Sequence, residues 1–133
     1  MNKLEIYTDG GSRGNPGPAG IGAVVGDKNY SEFIGEATNN VAEYKAILLA
    51  LTKAKQLLGK TKAKQTEVEV KADSQLAIRQ LSGEYKIENE TLQPLFLKIW
   101  NLRLDFKKVT FTHIPREENK QADKLANEAM DRG

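Results

Sequence analysis

The sequence predicts an α/β domain on a mixed five-stranded sheet, three antiparallel strands followed by two parallel ones, with helices on its faces and the order βββαβααβα. Two observations predict it. Three strand-like stretches follow one another near the N-terminus with only short links, as in an antiparallel meander. After Val41 the strands alternate with helical patterns, so the fourth and fifth are reached through helices and lie parallel to a neighbour.

Each element has its own signature. Residues 3–9 alternate Leu4, Ile6 and Thr8 against Glu5, Tyr7 and Asp9, the period of a strand. GGSRGNPGPAG reads as a turn from its composition. IGAVVGD and YSEFIGEAT read as two further strands, joined through Asp27, Lys28 and Asn29. From Val41 the period becomes helical, with Tyr44, Ile47, Leu48, Leu51 and Leu58 on one face. GKTKAKQ breaks that helix, and TEVEVKA returns to strand. DSQLAIRQL is a short helix ending near Ser82-Gly83, and ENETLQPLFLKIWNLRLD a longer one with Pro94 in its first turn. Leu95, Phe96, Ile99 and Trp100 recur at helical spacing and are assigned to the core. KKVTFTHI is the fifth strand and EENKQADKLANEAMD the last helix.

The length of 133 residues suits one domain, spanning 1–133, with one hydrophobic core. A hydrophobic fraction of 39% and a charged fraction of 29% are those of an ordinary soluble protein. No apolar run reaches the ~18–20 residues of a membrane span, and the N-terminus has no signal-peptide core. The chain contains no cysteine, which excludes disulfides, thiolate metal sites and cysteine nucleophiles and fits a cytoplasmic setting. The net charge of +2 permits a nucleic-acid partner without announcing one.

Four acids stand out. Asp9 ends a strand before glycines, Glu43 lies early in a helix, Asp73 ends a strand where a helix begins, and Asp123 lies within the last helix. Each also has an ordinary use. Asp9 can form a turn, Glu43 can close a capping box with Asn40, Asp73 can cap the helix from Ser74, and Asp123 can be a solvated surface acid. Their joint occurrence is what a site for hard divalent cations requires, since Mg2+ takes oxygen ligands, carboxylates above all. In open α/β sheets ligands sit beyond the carboxyl ends of the strands, where Asp9 and Asp73 are expected. His113, the only histidine, falls at a strand end and is open to a functional or a structural reading. The glycine loop is neither a Walker A motif nor a dinucleotide fingerprint, because no Gly-Lys-Ser/Thr follows and it leads into a strand.

Together YTDGGSRGNPGPAG, TNNVAEYKAILLAL, DSQ and HIPREENKQADKLAN resemble the type 1 ribonuclease H family over essentially the whole chain. The resemblance implies a ribonuclease H-like fold and an endonuclease that cuts the RNA strand of RNA–DNA hybrids, leaving 5′-phosphate and 3′-hydroxyl ends. It implies two Mg2+ ions, with Mn2+ as a substitute, held by Asp9, Glu43, Asp73 and Asp123. His113 matches the family histidine that assists proton transfer or product release. Gly10, Gly11, Asn15, Asn39, Asn40 and Gln75 match substrate-binding positions, several of them on the minor groove, and Thr38 resembles part of a pocket for a DNA phosphate. Between the third acid's helix and the next, the interval is only SGEYKIEN, so the chain resembles the branch that lacks a basic protrusion. No N-terminal hybrid-binding domain, no membrane and no obligate protein partner are expected, and the chain is expected to act as a monomer. Two rival readings share the fold: a non-catalytic nucleic-acid-binding module and an integrase-like strand transferase.

Overall fold

A computed structural model describes residues 2–133. Three antiparallel strands open the chain, β1 (Asn2–Ser12), β2 (Gly17–Val25) and β3 (Lys28–Ala37). A long helix α1 (Asn39–Leu58) and a short one, α2 (Lys60–Lys64), lead to β4 (Thr66–Ala72). Helices α3 (Gln75–Leu81) and α4 (Gln93–Leu102) lead to β5 (Lys108–His113), and α5 (Lys120–Arg132) follows. The sheet order is β3-β2-β1-β4-β5. β1 runs antiparallel to β2 and parallel to β4, and β4 runs parallel to β5, as the alternation of strand and helix requires.

The main core lies between the sheet and α1, α3 and α4. Ile6, Val25, Val68 and Val70 from the strands meet Tyr44, Ile47 and Leu51 of α1 and Ile99 of α4, all nearly without solvent exposure. On the opposite face α5 packs over β1, β2 and β3 through Ala122, Leu125, Ala126 and Ala129. The rest of that face is polar rather than covered. Lys71 pairs with Glu5 and lies over the Tyr7 ring, and the Thr112 hydroxyl donates to Glu69 at 2.8 Å. No described helix is long and apolar enough to cross a membrane.

Several boundaries differ from the sequence reading. The glycine-rich stretch is mostly strand, with only residues 13–16 between β1 and β2. Gly14, at φ +100°, turns the chain, but Gly10, Gly20 and Gly22 are there for close packing against helices. A Cβ on Gly10 would lie 2.3 Å from the Ala42 carbonyl carbon, and one on Gly22 2.4 Å from the Ala122 oxygen. The second hairpin turns on Gly26 and Asp27, because Val25 already pairs with Lys28. The break GKTKAKQ holds only at Gly59, after which α2 buries Ala63 completely. Helix α4 begins at Gln93 with Pro94 in its first turn, and the residues before it form turns. Of its apolar residues only Ile99 is fully buried. Trp100 is half-exposed, stacked on Phe96 at 5.3 Å with the Arg103 guanidinium 3.7 Å above it. The short α3–α4 connection is pinned from inside: the Tyr44 hydroxyl donates to Gln80, whose amide donates to the Lys86 carbonyl.

Candidate active site

Pairing of β1 with β4 sets Thr8 beside Ala72, so the residues that follow, Asp9 and Asp73, emerge side by side where the parallel ladder ends. Asp73 follows the end of β4, whereas Asp9 does not end its strand as the sequence suggests, because β1 continues to Ser12 against β2. The seat of α1 over Gly10 brings Glu43 to the same point from one face of the sheet. The seat of α5 over Gly22 brings Asp123 from the other. Neither Glu43 nor Asp73 is consumed by capping. Thr38 caps α1 by accepting from Val41 N at 3.2 Å, and Ser74 caps α3 by accepting from Ala77 N at 3.3 Å. Asp123 sits in the first turn of α5, where the helix dipole tolerates an acid that a helix interior would not.

One carboxylate oxygen from each of Asp9, Glu43 and Asp73 lies within 4.8 Å of the others. Asp9 and Glu43 are each only 8% exposed, and Glu43 Oε2 is buried with no hydrogen-bond partner. Burial, then the Asp73 charge, then contact with Asp123 push the Asp9 carboxyl up to about 8, against a smaller opposing pull from the Gly10 N–H. Glu43 is raised well above its usual range, chiefly by burial and then by Asp9 and Asp73. Among the described residues no salt bridge reaches Asp9, Glu43 or Asp73, and Asp123 has only the exposed Arg116 at 3.7 Å. Three clustered carboxylates, Asp9, Glu43 and Asp73, with a buried unpartnered oxygen and no basic side chain paired to any of the three, fit a hard divalent cation. The acids line a cleft of about 440 Å³.

This geometry has relatives. The family described as reverse transcriptase-like matches residues 7–129. LC11-RNase H1, isolated from compost by a metagenomic approach, is 48% identical and superposes with a TM-score of 0.91 over 99% of this chain and 98% of its own. The chain belongs to the type 1 ribonuclease H family. LC11-RNase H1 has also been crystallised with an RNA/DNA hybrid, and that structure is 46% identical, covering 97% of both chains with a TM-score of 0.91. A bifunctional protein of Mycobacterium tuberculosis is 42% identical over 97% of this chain, which spans about a third (36%) of that protein's length.

The other positions singled out by the ribonuclease H resemblance divide into two groups. Gly10, Gly11 and Asn39 line the cleft with the acids. Asn15 is tied to it, since its side-chain oxygen accepts from Asn39 N at 3.0 Å while Asn39 Oδ1 accepts from Ser12 N at 2.9 Å. These bonds clasp the β1–β2 loop to the start of α1. Thr38 stands beside them as the α1 cap. Asn40 is half-buried in the first turn of α1 and does not line the cleft. Gln75 is exposed at the start of α3, its amide oxygen accepting from the Arg79 guanidinium at 2.9 and 3.2 Å. His113 is exposed at the end of β5, level with Ala72 and outside the cleft lining.

Sequence reading missed four neighbours of the acids. Arg13 and Arg116 line the cleft, the first paired with Asp131 and the second near Asp123. Asn127 donates to the Asp123 carbonyl at 2.9 Å. Asn119 is 1% exposed, and its amide donates to the Thr8 carbonyl at 2.8 Å and to Asp73 Oδ2 at 3.3 Å. As an asparagine at the start of a helix it signals a cap, and nothing in the sequence points to its contact with Asp73.

Proposed function

We propose that this chain is a metal-dependent endoribonuclease that hydrolyses the RNA strand of RNA–DNA hybrids to 5′-phosphate and 3′-hydroxyl ends. The observation that carries this is the convergence of Asp9, Glu43 and Asp73 within 4.8 Å where the parallel pairing of β1 and β4 ends, two of them buried. The hybrid bound by LC11-RNase H1 supports the substrate class.

In this reading Asp9, Glu43, Asp73 and Asp123 hold two Mg2+ ions, which Mn2+ can replace. Divalent cations held there supply an activated water and charge stabilisation at the departing 3′ oxygen. Asp9, Glu43 and Asp73 would supply the clustered oxygens, and Asp123, in contact with Asp9, would add a fourth carboxylate. His113, exposed beside the strand end that carries Asp73, passes a proton at the mouth of the site. Gly11 lets the RNA backbone approach β1, beside Gly10, which lines the cleft through its main chain. Asn15, Asn39, Asn40 and Gln75 offer amides to the shallow minor groove, where 2′-hydroxyls distinguish RNA from DNA. Thr38, at the start of α1, forms part of a pocket for a phosphate of the DNA strand. Residues 1–133 act as one catalytic domain, as a monomer in the cytoplasm.

End-labelled RNA–DNA hybrid, double-stranded RNA and DNA duplex, incubated with Mg2+, test this directly. Cleavage of the hybrid's RNA strand is expected, and Asp73→Asn is expected to end it without unfolding the protein, because Ser74 caps α3. Near-normal cleavage by Asp73→Asn would remove the metal assignment.

A further inference from the structure

We propose that Asn119 is a positioning residue for Asp73, holding one oxygen of that carboxylate so that the group presents a fixed face to the metal cluster. The inference rests on the metal-centre reading above and assigns a residue which that reading does not use.

Asparagine at a helix start ordinarily accepts a backbone N–H, but Asn119 makes no side-chain cap to α5. Its amide turns inward instead. Nδ2 faces two acceptors, the Thr8 carbonyl at 2.8 Å and Asp73 Oδ2 at 3.3 Å, which fixes the amide's orientation. Its Oδ1 is buried without a partner. The arrangement thus forgoes a cap and buries an orphan acceptor, two unfavourable choices for a residue whose only task is to start a helix. What it gains is a bridge. Thr8 precedes Asp9 on β1, so one amide ties the backbone beside Asp9 to the side chain of Asp73. Thr8 and Asn119 are themselves almost completely buried, so the bridge is rigid. Groups that orient metal ligands in this way govern how well the ligands bind.

Asn119→Ser tests the role, since serine is a good cap but too short to reach Asp73. Asn119→Ala is the second variant, and Ser31→Ala is the control. Ser31 donates to the Leu125 carbonyl at 2.6 Å and so anchors α5 without touching Asp73. Three quantities are measured: Mg2+ affinity of the substrate-free protein by amide chemical-shift titration, kcat and KM on a hybrid, and the urea midpoint.

Either Asn119 variant should lose about 10- to 100-fold in Mg2+ affinity and fall in kcat at fixed Mg2+, with KM for the hybrid nearly unchanged. Ser31→Ala should lower the urea midpoint alone. A folded Asn119 variant that binds Mg2+ and turns over as the parent does would overturn the proposal. So would a loss of Mg2+ affinity in Ser31→Ala matching that of the Asn119 variants. If the parent protein binds Mg2+ in an Asn119-dependent way yet cleaves no hybrid, positioning stands and the proposed activity falls.

Discussion

Without metal, the acid cluster should make this protein less stable as pH rises, and Asp9→Asn should relieve that instability. The Asp9 carboxyl is raised from an ordinary 3.8 to about 8. Between those values the folded chain holds a proton that the unfolded chain has released. Stability therefore falls as pH rises across that window and levels off above about 8. Glu43, raised for the same reasons, acts in the same direction. At about 1.36 kcal/mol per pH unit, the Asp9 interval sets a ceiling of about 5–6 kcal/mol. The cleft is open to water and Asp9 is in contact with Asp123, so the higher effective dielectric brings the realised cost below that ceiling. Asparagine keeps the shape and cannot ionise. Urea denaturation in a chelating buffer, at about pH 5.5 and about pH 8, should show the parent losing stability, by at most about 3 kcal/mol for the part of the Asp9 interval inside that window, and Asp9→Asn losing less. At the higher pH the variant should be the more stable protein. Added Mg2+ should stabilise the parent more at about pH 8 than at about pH 5.5, because it binds the ionised acids. A metal-free parent whose stability is flat or rising across this interval, or an Asp9→Asn variant less stable than the parent at the higher pH, would refute the electrostatic account.

Gly10→Ala should cost about 3 kcal/mol or more, since its Cβ would meet main-chain atoms of Ala42 and Glu43 at 2.3–2.6 Å. A urea midpoint within error of the parent would mean that α1 can lift off β1 cheaply. His113→Ala should slow hybrid cleavage by about 10²-fold or somewhat more without abolishing it. An unchanged single-turnover rate would leave this exposed residue with a structural role only. Lys60, Lys62 and Lys64 lie in α2, beyond the whole length of α1, and Lys64 already donates to the Leu104 carbonyl at 2.9 Å. Replacing all three with glutamine should leave cleavage near normal. Loss of about three phosphate contacts from the salt dependence of hybrid binding, at roughly 0.9 each, would show that the substrate wraps that pole.

The sequence is most legible where burial alternates. TEVEVKA has the period of a strand buried on alternate residues, and β4 occupies those seven residues, Thr66–Ala72, with buried positions at every second one. The strand-end placement of Asp73 follows from the same logic, whereas Asp9 lies within β1 because the glycines after it stay in the ladder with β2. Caps were harder. Thr38, Asn39 and Asn40 can all cap a helix, and the choice falls on Thr38 because Asn39 is engaged with Ser12 and Asn15. That moves the helix start forward and frees Glu43 from the capping box that its spacing suggests. The glycine stretch misled for a different reason. A residue without a side chain gives the same compositional signal whether it turns the chain or admits a helix, and only tertiary packing separates the two. Asn119 was unreadable for a related reason: its partners are 111 and 46 residues away, joined only by the parallel pairing of β1 and β4.

The bare glycines under α1 and α5 have a consequence for how the protein can change. Where Gly10 meets Ala42 and Gly22 meets Ala122, main chain rests on main chain, with no side chain acting as a spacer. The distances that bring Glu43 and Asp123 toward Asp9 are therefore set by atoms common to every amino acid. Exchanging Ile47, Leu51 or Val68 for apolar residues of similar volume alters how firmly the layers adhere, but supplies no shim beneath the helix ends that carry the acids. Stability and reactivity are thereby decoupled at the level of individual positions. The interior can drift through many apolar combinations while the carboxylates keep their spacing, and the constraint is concentrated on a few residues that have no side chain at all.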